Sequence, residues 1–309
     1  MRLRPLRPGG TIAVTAPAFP ADTAKVEKGI AWLEGEGYTV VRGATLNSRE
    51  GYLSGSDALR ADELNLFFCD PDVDAIICAR GGWGTLRLLD RLDYRAIAQN
   101  PKMLCGYSDI TSLQLALWHK SGIPSLSGPM VAVEMASGIL PFTETHFTGY
   151  VHNTDVTYSL SLRELDARVQ HEGSCDGPLV GGCLSLISHL LGTPYMPDLK
   201  NAVLFIEDVG EEPYKMDRYL AHLRQAGVFD AIAGLIIGQF LDCEDPLRPE
   251  RTIDDVLYEY IRDARYPVVY NFPYGHGMHK VSMPVGAHVI LDTQAGTVRF
   301  ANIFATAVE

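Results

Sequence analysis

The patterned part of the chain opens with an apolar run, "TIAVTA" at 11–16, entered through a Pro-Gly-Gly turn and closed by small residues and proline. Such a run, bounded by turn residues, predicts a strand. In "DTAKVEKGIAWLEGEG", Val26, Ile30 and Leu33 recur at three and four residues, and Gly35 and Gly37 close the pattern. That spacing predicts a helix with one buried face. The alternation continues. "YTVVRG" reads as a strand and "DALRADELNLFFCDPDV" as an amphipathic helix. "DAIICARGG" is apolar nearly throughout, as a strand covered on both faces should be. "TLRLLDRLDY" predicts a helix, "KMLCGYSD" a strand and a turn, and "ITSLQLALWHKSG" a further helix. This βαβαβ rhythm predicts an α/β fold with a doubly wound parallel sheet, in which ligands sit beyond the carboxyl ends of the strands.

The rhythm weakens over 151–177, where Gly, Ser and Thr are frequent and helical spacing fades. The expected organisation is an N-terminal α/β domain over 1–150, a connecting segment over 151–177, and a smaller C-terminal α/β domain over 178–309. The last of these starts with a Gly-Gly turn and an apolar helix, "CLSLISHLLG". "AVLFIED", "IAGLIIGQF", "PVVYNFPYG", "AHVILDT" and "TVRFAN" read as its strands, with helices at "YKMDRYLAHLRQAG" and near "TIDDVLYEYIRDA".

Composition narrows the function classes. The 309 residues are 47% hydrophobic and 21% charged, enough for a sizeable core. With 26 Lys plus Arg against 38 Asp plus Glu, the formal charge is −12. Such a surface repels phosphate backbones and argues against a nucleic-acid partner. No segment approaches the roughly 20 apolar residues of a membrane span. The N-terminal "MRLRPLRPGGTIAVTAPAFP" imitates a signal peptide, but its apolar part is short and broken by Pro17 and Pro20, so a cytoplasmic protein is expected. The six cysteines, Cys69, Cys78, Cys105, Cys175, Cys183 and Cys243, form no C-x-x-C pair. They predict reduced, mostly buried thiols, with neither a disulfide framework nor a metal site.

Three strand ends carry candidate chemistry. Ser108 lies at the bend Gly106-Tyr107-Ser108-Asp109. It suits a helix N-cap, with Asp109 favouring the helix dipole. It also half matches the nucleophile elbow G-x-S-x-G, since Ile110 stands where the last glycine would be. Glu207 and Asp208 close "AVLFIED", where ordinary solvent caps also occur. His276 sits between glycines in "YGHG", a place with no packing reason for a histidine. A serine nucleophile needs a base, and the base a carboxylate. The order Ser, Glu, His leaves open whether they meet. The loop Gly81-Gly82-Trp83-Gly84 could cradle a phosphate, but it lacks the dinucleotide and P-loop patterns.

Taken together, "TIAVTAPAFP", "CARGGWGTLRLLDRLDY", "GYSDITSLQLAL", "PLVGGCLSLISHLLGTPYMPD", "LFIEDVGEEPYKMDRYLAHLRQAG" and "YGHGMHKVSMPVGAHVILD" resemble the LD-carboxypeptidase family of serine peptidases. That family includes murein tetrapeptide carboxypeptidases and microcin C immunity hydrolases. The resemblance implies a flavodoxin-like N-terminal sheet and an active site in an interdomain cleft. It implies a triad of Ser108 as nucleophile, Glu207 as acid and His276 as base, with Asp208 next in line if Glu207 faces solvent. The backbone N–H groups of Gly82 and Asp109 would form the oxyanion hole. No metal or organic cofactor is implied, and the protein would be a homodimer. The implied substrate is a small peptide, a muropeptide tetrapeptide losing its terminal D-alanine. The alternatives are an immunity-type hydrolase of peptidyl- or aminoacyl-nucleotides, a non-catalytic binding protein, and an enzyme using Cys105. Arg80 and Trp83 flank the glycine loop as possible substrate contacts or as packing residues. Where relatives read G-G-N-L-S, this chain has Cys183 in "GGCLS".

Overall fold

The first strand, β1 (Thr11–Thr15), is followed by α1 (Thr23–Gly35), β2 (Thr39–Arg42), α2 (Asp57–Cys69), β3 (Ala75–Cys78), α3 (Tyr94–Gln99), β4 (Met103–Cys105), α4 (Thr111–Ser121), β5 (Ser125–Ser127) and α5 (Pro141–Val151). The chain continues through β6 (Thr157–Ser161), β7 (Arg168–His171), β8 (Ser174–Cys183), α6 (Leu184–Leu190), β9 (Val203–Val209), α7 (Pro213–Gln225), α8 (Val228–Ala231), β10 (Gly234–Leu241), α9 (Ile253–Ile261) and β11 (Val268–Tyr270). It ends in β12 (Met283–Val285), β13 (His288–Asp292) and β14 (Thr297–Ala301). This is a computed structural model that describes residues 3–153 and 155–304. The chain divides into two compact units. The first holds the described residues up to Val156, Val281–Gly286 and those from Asn302 onward; the second holds Thr157–Lys280 and Ala287–Ala301.

The sheet of the first unit runs β12-β5-β4-β3-β1-β2. β2, β1, β3, β4 and β5 are mutually parallel, and β12 is antiparallel at the edge. The order β2-β1-β3-β4-β5 is the flavodoxin-like one, and its topological switch point lies between β1 and β3. All four residues of β3 are buried, so this strand is covered on both faces, as its unbroken apolar run predicted. α1 buries Val26, Ile30 and Leu33, the stripe read from the sequence. The buried face of α2 carries two charged residues, Arg60 and Glu63, among its apolar ones.

The stretch "TLRLLDRLDY" differs from expectation. It holds a single 3-10 turn over Thr85–Leu88, and the next helix starts only at Tyr94. Asp93 interrupts the apolar period. Its carboxylate caps α3 by accepting from Ala96 N at 2.9 Å, and its own N–H donates to Asn65 Oδ1 at 2.9 Å.

The second unit is built on eight strands in the order β6-β14-β13-β8-β9-β10-β11-β7. Strands β8 to β11 are parallel, and antiparallel strands flank them. The segment 151–177, read as a connection, contains β6, β7 and the start of β8. The expected Gly-Gly turn is also strand: Gly181 and Gly182 lie inside β8. A Cβ on Gly181 would stand 1.9 Å from the Phe205 carbonyl oxygen, so glycine here serves close backbone approach. All six cysteines are free thiols, Cys69 exposed and Cys78, Cys105, Cys183 and Cys243 buried. Among the described residues, no helix is long and apolar enough to cross a membrane.

Candidate active site

Ser108 stands where β4 gives way to α4. Its φ is +64°, a left-handed conformation that costs a non-glycine residue about 1–3 kcal/mol and persists only where the surroundings enforce it. The enforcement is visible. Gly106 N donates to Leu126 O at 3.1 Å, Gly106 O accepts from Gln114 Nε2 at 2.9 Å, and Tyr107 Oη donates to Glu134 Oε1 at 2.9 Å. The N-cap position of α4 is Ile110, and Ser108 makes no capping bond. A strained, half-buried serine on a strand-to-helix turn is the geometry of a nucleophile elbow.

Asp109, read from the sequence as a dipole partner, does something else. It is buried, its Oδ2 accepts from Thr85 N at 2.9 Å, and its carbonyl accepts from Thr85 Oγ1 at 2.6 Å. Burial pushes its carboxyl up, against the lowering pull of the Thr85 bonds and Arg60. The residue after the serine is thus stapled to the end of the glycine loop. Gly82, an expected oxyanion donor, has φ +125°, and a Cβ there would stand 2.4 Å from the Phe19 ring, so only glycine fits this turn. The residue against Ser108 is its neighbour Gly81. A Cβ there would lie 2.8 Å from Ser108 Cβ, 3.0 Å from Ser108 Oγ and 3.2 Å from Asp109 N. Sequence reasoning passed over Gly81; the doubled glycine in "RGGWG" was its signal. Arg80 donates from Nε to Gly81 O at 3.3 Å, and Trp83 is 37% exposed.

Cys105 does not fit a nucleophile. It is buried at the end of β4, its Sγ donates to Pro129 O at 3.5 Å, and burial holds the thiol well above its ordinary range. Cys183 is buried beside Glu207 in the β8–β9 register, with its Sγ 3.2 Å from Ser185 Oγ.

In the second unit, Glu207 lies near the end of β9 and is fully buried, whereas Asp208 beside it turns to other partners, as alternate strand residues do. Glu207 Oε2 is 2.7 Å from His276 Nδ1. Its other oxygen, Oε1, is buried without a hydrogen-bond partner. Asp208 accepts instead from Ser185 N at 2.8 Å and Val209 N at 2.9 Å. Burial first, and Glu207 second, raise its carboxyl to about 6.

The loop after β11 carries the histidine. Phe272 N donates to Ile237 O at 3.0 Å, and Tyr274 O accepts from Gln239 N at 3.0 Å, pinning the loop along β10. Gly275, at φ +122°, passes directly over the Glu207 carboxylate; a Cβ there would lie 2.7 Å from Oε2. The first glycine of "YGHG" therefore makes room for the carboxylate. An ionised carboxylate can only accept, so opposite an ionised Glu207 the ring would carry its proton on Nδ1 and leave Nε2 as the basic nitrogen.

The LD-carboxypeptidase N-terminal domain matches residues 12–128, and the LD-carboxypeptidase C-terminal domain matches residues 176–291. The probable murein peptide carboxypeptidase of Bacillus subtilis is 36% identical over 295 residues, 94% of this chain and 92% of that protein. The crystal structure of a muramoyltetrapeptide carboxypeptidase from Oxalobacter formigenes matches with a TM-score of 0.82 at 30% identity, covering 94% of this chain and 97% of that one. The microcin C7 self-immunity protein MccF of Escherichia coli is 28% identical over 319 residues, 93% of this chain and 92% of that protein. A solved structure of MccF matches with a TM-score of 0.91 at 25% identity, covering 98% and 99%. The chain belongs to the LD-carboxypeptidase family and is a hydrolase of the serine carboxypeptidase type.

Proposed function

We propose that this enzyme removes the terminal D-alanine from muropeptide tetrapeptides, as a step in recycling cell-wall peptides, with Ser108, His276 and Glu207 as its triad. His276 Nε2 takes the proton of Ser108 Oγ as the oxygen attacks the scissile carbonyl. The tetrahedral oxyanion is held by the N–H groups of Asp109 and Gly82. Collapse breaks the C–N bond, and the proton on His276 passes to the leaving amine of D-alanine. Water, deprotonated by His276, then splits the acyl-enzyme and regenerates the serine. Glu207 fixes the His276 tautomer and stabilises the imidazolium. As part of the same reading, the enzyme acts in the cytoplasm as a homodimer.

The observation that carries this reading is the 2.7 Å contact between a buried carboxylate and His276 Nδ1. A buried charge is costly unless it has a task or a partner, and here the histidine is the partner. The strained turn at Ser108 supports the nucleophile. The murein substrate rests on the names of the relatives. The test is product analysis with purified protein on a tetrapeptide. Release of free D-alanine by the wild type and its loss in Ser108→Ala is the expected result. Equal release by Ser108→Ala would overturn it.

The likeness to MccF supports a second reading, hydrolysis of an aminoacyl- or peptidyl-nucleotide. An aminoacyl-sulfamoyl adenosine in the same assay separates the two, since preferential cleavage of that compound favours the immunity-type activity.

A further inference from the structure

Beyond the carboxyl ends of β1, β2 and β3, the first unit carries a cavity of about 530 Å³ whose lining includes Asp22, Thr23, Asn47, Ser48, Arg49 and Arg80. It sits at the switch point of the sheet, where α/β folds take their ligands. Each of its three walls is a loop that follows one of these strands. The wall after β3 is continuous with the serine's surroundings: Arg80 directly precedes Gly81, the residue packed on Ser108.

The charges in this cavity are unbalanced. On this acidic protein, Arg42, Arg60, Arg87 and Arg251 each pair with a carboxylate. Arg49 and Arg80 make no ion pair among the described residues, yet both line one cavity. Arg80 is held by its Nε bond to Gly81 O at 3.3 Å and by Phe19, whose ring centre lies 5.8 Å beneath its guanidinium. The one acid in the lining, Asp22, accepts from Lys25 N at 3.0 Å as the cap of α1. Two cations against one committed carboxylate leave a net positive cavity, and the hydroxyls of Thr23 and Ser48 and the Asn47 amide add neutral donors. Paired guanidinium groups match a carboxylate in shape and charge.

We propose that this cavity binds a carboxylate of the peptide substrate, with Arg80 and Arg49 as its cationic partners, and that Arg80 ties that recognition to Ser108 through the shared glycine loop. The substrate class rests on the function proposed above. Two sources supply this chemistry: the free terminal carboxylate of the leaving D-alanine, and the side-chain carboxylate of a diaminopimelate residue before it.

Two measurements test it. In the first, wild type, Arg80→Gln and Arg49→Gln are assayed on three tetrapeptides: the free acid, its C-terminal amide, and a form with lysine in place of the diamino acid. The variants should raise KM by on the order of 10–100-fold for substrates bearing the recognised carboxylate, with kcat changed less. The penalty should vanish on the substrate that lacks it, which identifies the source. Variants that keep the wild-type preference for both carboxylates overturn the proposal. The second is calorimetric titration of N-acetyl-D-alanine and of N-acetyl-meso-diaminopimelate, each against its amide, on the same three proteins. Carboxylate binding that Arg80→Gln abolishes upholds the cavity even if no tetrapeptide is cleaved, in which case only the proposed substrate fails. Binding to Arg80→Gln equal to wild type, or no binding of either carboxylate to any of the proteins, overturns the inference itself.

Discussion

The guanidinium of Arg60 donates from Nη1 to the carbonyl oxygen of Gly84 at 3.1 Å, at the end of the glycine loop that packs on Ser108. The same nitrogen donates to Pro17 O at 2.5 Å, Nε donates to Gly55 O at 3.3 Å, and Nη2 pairs with Asp57. One fully buried side chain thus gathers the loops after β1 and β3 and the start of α2. Desolvation lowers its pKa, and Asp57 works against that. Arg60→Met would orphan three carbonyls and leave Asp57 without its buried partner. Removing one member of such a group costs about 3–5 kcal/mol. The thermal midpoint should fall by on the order of 10 °C, with activity lost below that midpoint as the loop loosens. Scanning calorimetry checks this, and an unchanged midpoint would mean the loops are held by other contacts.

The Glu207–His276 contact predicts a rate effect with little change in fold. Glu207→Gln keeps the volume and leaves an acceptor for Nδ1–H, but in the proposed triad it removes the charge that would stabilise the imidazolium. The rate of D-alanine release should fall on the order of 10³–10⁴-fold, as when a triad carboxylate becomes an amide. KM should change far less. A variant with the wild-type rate would make Glu207 a structural residue and leave His276 without an orienting partner.

Asp208 gives a prediction about stability and pH. Its carboxyl is raised from an ordinary 3.8 to about 6. The folded state therefore holds this proton more tightly than the unfolded chain does. The resulting stabilisation is complete below about pH 4 and is lost as pH rises through about 6. A rise of that size is worth about 3 kcal/mol. Asp208→Asn cannot titrate, so its stability relative to wild type should improve by about that amount between pH 4 and 7. Urea unfolding of both proteins across this range measures the gap; a gap independent of pH would contradict the assignment.

Two glycines make a contrasting pair. Gly81→Ala places a methyl carbon 2.8 Å from Ser108 Cβ, so the elbow or the loop must move. A displacement of about 1 Å can cost on the order of 100-fold in rate. Gly35, at the end of α1, has nothing within 4 Å of a built Cβ and no positive φ. Gly35→Ala should stabilise by about 0.4–1 kcal/mol with activity intact. Paired kinetics and melting of the two variants would show whether the loss at Gly81 is local to the serine.

Much of the fold could be read along the chain because its first half is built from local units. β1, α1, β2, α2 and β3 each announce themselves by period and by turn residues. The strands in 157–177 do not, because their partners are remote: Thr157 pairs with Ala301 and Arg168 with Tyr270. No local pattern encodes such a pairing. Gly181 and Gly182 read as a turn because glycine's two uses, turning and close approach, look alike in sequence. At the candidate site, Ser108, Glu207 and His276 stood out as reactive types at strand ends. Gly81 and Arg60 act through packing and carbonyl contacts, which residue type alone does not reveal.

Strand β12 lies late in the chain, beyond the second unit's main run, yet it completes the first unit's sheet. Met283 pairs with Ser127, Pro284 with Leu126 and Val285 with Ser125, an edge position that tolerates proline's missing N–H. The chain then re-enters the second unit at Ala287 and leaves it again at Asn302. For anyone recombining relatives, this sets the grammar of exchange. A chimera joined once, near Val156, would lay one parent's β12 against the other parent's β5. Its failure would then be written in a three-residue seam far from the junction. Swapping the units intact takes four junctions, and the hexapeptide 281–286 must travel with the N-terminal parent.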